Sequence, residues 1–209
     1  MLLLEDLKNE CGSIVEIYFN AKENFLYCYY LHVPGTKEEA EYLNVDRDLK
    51  FIRHSLWRLS IIELAKLFSD RKFTDKFNLF HFLSKLKPGG KYAHFKFDPS
   101  QISKWEAMIN THENLISNII VLRDKIYAHT DPDKDNYKSI EIYFRQIEDL
   151  FELIEKVLSQ LYLILFDTHL ELQTPTFDRQ DFDLLKVLAA AHHKKIEKIN
   201  SLFDKKDSS

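Results

Sequence analysis

Glycine and proline are almost confined to the gaps between periodic segments, and no other feature restricts the fold so tightly. Pro34-Gly35, Pro88-Gly89-Gly90, Pro99, Pro132 and Pro175 punctuate the 209 residues, and only Gly12 interrupts a helical stretch. Proline removes a backbone donor, and glycine costs a helix about 1 kcal/mol relative to alanine, so long segments without either favour helix. The expected fold class is all-α, an antiparallel helical bundle of five to six helices joined by short turns. The chain reads as a single domain over 1–209, with an N-terminal helix at 1–31, core helices within 46–167 and a C-terminal helix at 178–205.

The first block, Leu3 to Leu31, is rich in aromatics. The second, Asp46 to Asp70, is apolar over most of its circumference, the pattern of a central helix packed on several sides. A shorter block follows from Lys72 to Leu86. The segment from Lys87 to Asp98 reads as a loop with a little β character at His94-Phe95-Lys96-Phe97.

Asp98-Pro99-Ser100 then opens a helix with a capping side chain and a proline in its first turn. Its seam, Ile102, Trp105, Ile109, His112, Ile116, Ile119, Arg123, Ile126, alternates steps of three and four and should end near His129. After the turn at Asp131 to Asp135, a further helix carries Ile140, Phe144, Ile147, Phe151, Ile154, Leu158, Leu161 and Leu165. The last block spans Arg179 to Phe203.

Composition narrows the function. With 45% hydrophobic and 30% charged residues the chain is globular. Its formal net charge is -4, so any nucleic acid must be held by a local basic surface. Lys85, Lys87, Lys91 and Lys96 surround the 87–98 loop, and Lys87, Lys91 and Lys96 are the RNA-contact candidates; a solvated loop is the alternative. Cys11 and Cys28 share one helical stretch and are too far apart along it to bond, so they read as apolar core thiols. No targeting segment or membrane span is evident, and a cytoplasmic location is expected.

Metal and cofactor sites are not expected. Asp131, Asp133 and Asp135 imitate the start of a calcium loop, but Asn136 replaces its glycine and Ile142 its bidentate Glu. The adjacent His192 and His193 diverge on a helix and lack spaced partners for zinc. His112 on the seam suits a satisfied core or interface histidine.

The most informative stretch is Leu122-Arg123-Asp124-Lys125-Ile126-Tyr127-Ala128-His129-Thr130-Asp131. Arg123 occupies a seam position otherwise given to isoleucine. A guanidinium keeps its proton and is costly to bury unpaired, so it needs an acidic partner or a cleft to point into. Lys125 and His129 would complement the end of the helix.

The run Arg-Asp-x-x-x-Ala-His-x-Asp resembles the motif of the HEPN superfamily, in the AbiU-type branch of abortive-infection proteins. The resemblance extends to the helical layout and to His54-Ser55-Leu56-Trp57-Arg58-Leu59. It implies an all-α bundle, a homodimer, and metal-independent endoribonuclease activity in phage defence or as the toxin beside an antitoxin protein. Arg123 and His129 would be its catalytic pair, with Asp124, Lys125, Tyr127 and Asp131 in support. The other class of function is a catalytically silent HEPN module that binds RNA or a protein partner.

Arg47 and His54, with six residues between them, also fit the Arg-x(4–6)-His spacing of that motif, but at the start of an apolar helix where a structural role fits better. Asp131 stands where some relatives carry a modifiable tyrosine, and Tyr127 and Tyr137 are out of register for that role. On an ideal α-helix, positions 123 and 129 differ by about 240° and rise about 9 Å. Two copies about a two-fold axis would then be needed to assemble one site.

Overall fold

Helix α1 runs unbroken from Leu2 to His32, across Gly12. The computed structural model describes residues 2–69, 77–127, 140–172 and 184–206, with side chains as far as position 201. Among the described residues there are eight α-helices and no strand. The fold class is all-α, as expected, but the helices outnumber the five to six anticipated.

Two of the differences have clear local causes. Helix α2, Lys37–Val45, falls in a stretch read as a connection. Thr36 caps it by accepting from the Glu39 amide at 3.2 Å, while the Glu39 carboxylate accepts from the Gly35 amide at 2.6 Å. This is a close relative of the reciprocal Thr-x-x-Glu cap. Helix α3 follows at Arg47–Phe68 and α4 at Leu79–Leu86.

The long seam helix divides into α5, Pro99–Asn110, and α6, Glu113–Leu122. At the break the Thr111 hydroxyl donates to the Met108 carbonyl at 2.6 Å and the His112 amide to Ile109 at 3.0 Å. Such tight local bonds compete with the α-helical ladder. Helix α7, Phe144–Phe166, starts later than its seam suggested and leaves Ile140 outside, because the Gln146 side chain caps the Tyr143 amide. Helix α8 spans Leu184–Lys206.

The expected β character at 94–97 is absent. Ala93–Phe95 is a short 3-10 turn ended by Lys96 in the left-handed region at φ 52°, which rules out an extended run. Tyr92 and Phe97 are buried on either side of it. Helix α3 is also more exposed than its composition suggested, with Phe51 72% and Ile52 43% accessible.

The chain divides into two compact units. Unit 1 comprises Met1–Asn24 and Arg58–Thr174. In it α1 and α7 run antiparallel: Lys8 lies over Phe166, whereas Tyr18 meets Phe151 edge-on and donates to Glu155. The apolar faces of α1, α3, α4, α5, α6 and α7 supply its core, which includes Leu7, Tyr18, Leu64, Phe82, Trp105 and Leu158. The Trp105 indole donates to Gln160 at 2.7 Å, which satisfies its N–H inside that core.

Glu10 is a buried carboxylate on α1 that fixes the α4–α5 connection. Lys85 pairs with one of its oxygens, and the Tyr92 hydroxyl donates to the other at 2.7 Å. Unit 2 comprises Phe25–Trp57 and Pro175–Ser209. Its core gathers Tyr30, Leu31, Leu43, Leu49 and Leu185, and α2 packs on α8 with the Tyr42 and His192 rings 5.2 Å apart.

Two tests follow from this packing. Burial pushes the Cys11 thiol up to about 12 and the Cys28 thiol up to about 11. Since only the thiolate reacts, neither should take up a thiol reagent in the native protein at pH 8, and both should do so in denaturant; rapid native labelling would contradict the burial. At Gly90 an added Cβ would lie 2.4 Å from the Lys85 carbonyl oxygen. Gly90→Ala should therefore cost about 1–3 kcal/mol in urea unfolding, and an unchanged midpoint would show that this turn relaxes freely.

Candidate active site

The apolar stripe of α6 sets where the site lies. Leu115, Ile116, Ile119 and Leu122 are buried, and the next seam position places Arg123 in the same interior with 9% of its surface exposed. At Arg123 the helix changes character. Residues Arg123–Tyr127 form a turn of π-helix, the widened geometry that recurs at functional sites.

The guanidinium is held from two sides. Its Nε donates to the Asp124 carboxylate at 2.7 Å, and one terminal nitrogen donates to the Ser69 hydroxyl at 3.1 Å. Ser69 follows directly after α3 and is itself buried. Its carbonyl accepts from the Asn78 side chain. The oxygen of that same amide caps α4 by accepting from the His81 amide at 3.1 Å. A buried serine and a buried asparagine thus connect the end of α3, the start of α4 and the arginine.

The far end of the π-turn is fixed by a second guanidinium. Arg58 of α3 donates to the Tyr127 carbonyl at 2.9 Å and lies 5.7 Å from the centre of the Tyr127 ring. A hydrogen bond donated by a charged group is stronger than one between neutral groups, so this contact holds the Tyr127 backbone firmly. Arg58 was not among the residues singled out as functional from the sequence. Its position within an apolar run is the same signal that marked Arg123.

The other candidates fall as follows. Asp124, Lys125 and Tyr127 share the π-turn with Arg123 and are half-buried. His129 and Asp131 lie outside the described residues, as do Asp133, Asp135 and Tyr137. The α-helical phase assumed between positions 123 and 129 does not apply, because the segment enters a π-turn at Arg123. The deduction that a single chain cannot bring the pair together loses its premise.

The basic loop is less positive than its sequence. Lys87 pairs with Glu106 at 2.6 Å, Lys91 with Asp6 at 3.0 Å, and Lys85 with Glu10, all acids brought in from other helices. Lys96 is exposed. Arg47 and His54 are both exposed on α3, in unit 2, whereas Arg123 belongs to unit 1. Among the described residues no group of three or more His, Cys, Asp or Glu is arranged to hold a metal ion, and no helix is long and apolar enough to cross a membrane.

Asn78 offers a direct test of the buried network. Asn78→Ala removes a helix cap worth about 1 kcal/mol and strips the Ser69 carbonyl of a partner, a further loss of about 1–3 kcal/mol. Asn78→Asp retains the cap and loses only the donor, so it should fall between alanine and wild type in chemical unfolding. Equal stability of Asn78→Asp and wild type would mean that the contact to Ser69 contributes nothing.

Comparison with known proteins agrees with the motif. No curated protein and no solved structure matches the chain. The family model HEPN_AbiU2, described as AbiU2, matches residues 3–185, which takes in every helix of unit 1 and the π-turn with Arg123. The chain belongs to the AbiU2 family of HEPN proteins.

Proposed function

We propose that this HEPN protein is a metal-independent endoribonuclease in which Arg123 and His129 form the catalytic pair, acting in phage defence or as a toxin beside an antitoxin. The observation that carries this reading is a buried arginine, on a stripe otherwise built of aliphatic side chains, fixed in orientation by Ser69 and Asp124 at a π-turn. A core position filled with leucine or isoleucine would pack without the desolvation cost of a guanidinium. Retaining the charge there suits a role in which it meets an anion.

The chemistry requires a base and a cation. Neutral His129 takes the proton of a ribose 2′-OH, whose oxygen then attacks the adjacent phosphorus and breaks the bond to the 5′ oxygen. The products are a 2′,3′-cyclic phosphate and a free 5′-hydroxyl. Arg123 stabilises the charge that grows on the non-bridging oxygens. A second histidine, from a paired copy of the chain, would protonate the leaving oxygen.

Histidine suits both proton transfers because its unperturbed pKa is about 6.5. Acid–base help contributes roughly 10²–10⁴-fold. A guanidinium already held by a hydroxyl and a carboxylate need not be reorganised during the reaction, which is how fixed charge lowers a barrier.

A second reading has its own support. A buried arginine satisfied by Asp124 and Ser69 is also what a purely structural residue looks like, and a silent HEPN module that dimerises and binds RNA or a protein would keep it. Incubating wild type and His129→Ala with total RNA in EDTA separates the two. Cleavage by wild type alone, leaving 2′,3′-cyclic phosphate ends, is expected. Equal inactivity of both proteins, with RNA or protein binding retained, would leave the silent module.

A further inference from the structure

We infer that Arg58 and Ser69 are positioning residues that clamp the π-turn at its two ends and so fix the direction in which Arg123 points. As positioning for catalysis, this rests on the nuclease reading above; as a structural claim, it stands by itself. Both residues come from α3 or its immediate end. Ser69 holds the first residue of the turn through the Arg123 guanidinium, and Arg58 holds the last through the Tyr127 carbonyl. The later α3 residue meets the earlier turn residue, so the two segments run antiparallel and one helix serves as the template for the other.

A wide turn needs such a template. π-Helical geometry is rare and appears mostly as single turns within α-helices, which are the more favourable state of a free chain. If Arg123–Tyr127 rewound as α-helix, each side chain after Arg123 would rotate about the axis relative to its present place. The Tyr127 carbonyl would also lose its register with Arg58. The two contacts oppose this from both ends.

The bonds are of the stronger sort. Each is donated by a guanidinium, and hydrogen bonds from charged groups exceed neutral ones in strength. The one from Arg58 is reinforced by the Tyr127 ring beneath its planar cation. Lysine could supply the charge at position 58 but not the flat fork that donates and stacks together.

Hydrogen exchange read by mass spectrometry on the full chain tests the clamp. In Arg58→Ala the amides of residues 124–127 should exchange about tenfold faster or more than in wild type, while those of α7 keep their rates. Ser69→Ala should accelerate the same amides. Unchanged exchange of this turn in both variants would overturn the inference.

If Arg58→Ala unfolds unit 1 as a whole, Arg58→Lys and Ser69→Ala decide: faster exchange confined to the turn supports the clamp, and none refutes it. RNA cleavage by the same proteins reads the catalytic half of the claim. A fall in kcat with KM unchanged is expected for Arg58→Lys, which a role in binding RNA would not give. A wild type that cuts no RNA would remove the nuclease reading, and the exchange rates would still decide the clamp.

Discussion

The charge on Arg123 is the constraint around which this part of the molecule is organised. An ion taken out of water costs several kcal/mol unless partners replace its hydration, and Arg123 is nine-tenths buried. The replacement includes a carboxylate next to it in sequence and a hydroxyl at the end of α3, and an asparagine in turn holds that serine's backbone. Two of these residues have a second task. Asn78 caps α4, and Ser69 marks where α3 stops. Removing the charge would make the polar groups around it expensive in turn, which is why an arginine here is hard to replace by a hydrocarbon of similar bulk.

The same economy recurs elsewhere in unit 1. Glu10 is a buried carboxylate on α1, and Lys85 of α4 and Tyr92 of the α4–α5 connection converge on it. Glu155 on α7 accepts from both Tyr18 and Lys22 of α1. In each case a carboxylate at an otherwise apolar contact is met by two side chains from another segment. Apolar area supplies most of the driving force for folding, while these paired groups penalise a shifted register, in which a charge would be left without its partner.

Much of the helical layout could be read from the chain, because it is written in local patterns. The near absence of glycine and proline marked α1, despite Gly12, and α3 nearly to the residue, and the three-and-four stripe through Ile102, Trp105, Ile109, Ile116 and Ile119 is buried as its spacing demanded, apart from half-buried His112. Thr36-x-x-Glu39 was an equally local signal for α2, hidden by the neighbouring Pro34-Gly35. The loop at 94–97 misled because alternating aromatic and polar residues suit a strand as well as a short 3-10 turn with two rings tucked inward.

The candidate site was legible only in part, and the reason is distance along the chain. Arg123 announced itself by standing on an aliphatic stripe. Its partner Ser69 is 54 residues away, and Arg58 is 69 residues from Tyr127, so no periodicity could join them. The π-turn was equally invisible, since the contacts from Ser69 and Arg58 that hold it come from a distant part of the chain. The basic loop shows the converse error: its lysines looked unopposed because the acids that meet them, Asp6, Glu10 and Glu106, come from α1 and α5.

The central claim is that Arg123 does more than complete the core. The most direct measurement is Arg123→Lys, followed by RNA scission and thermal unfolding on the same preparation. Lysine keeps the charge but cannot hold Ser69, Asp124 and a phosphate with one planar group. Scission should fall by about 10²–10³-fold, as when a single fixed donor to a developing anion is lost, with the melting temperature only a few degrees lower. Full scission by the lysine protein would contradict it, and so would a large loss of stability in a protein that cuts no RNA to begin with.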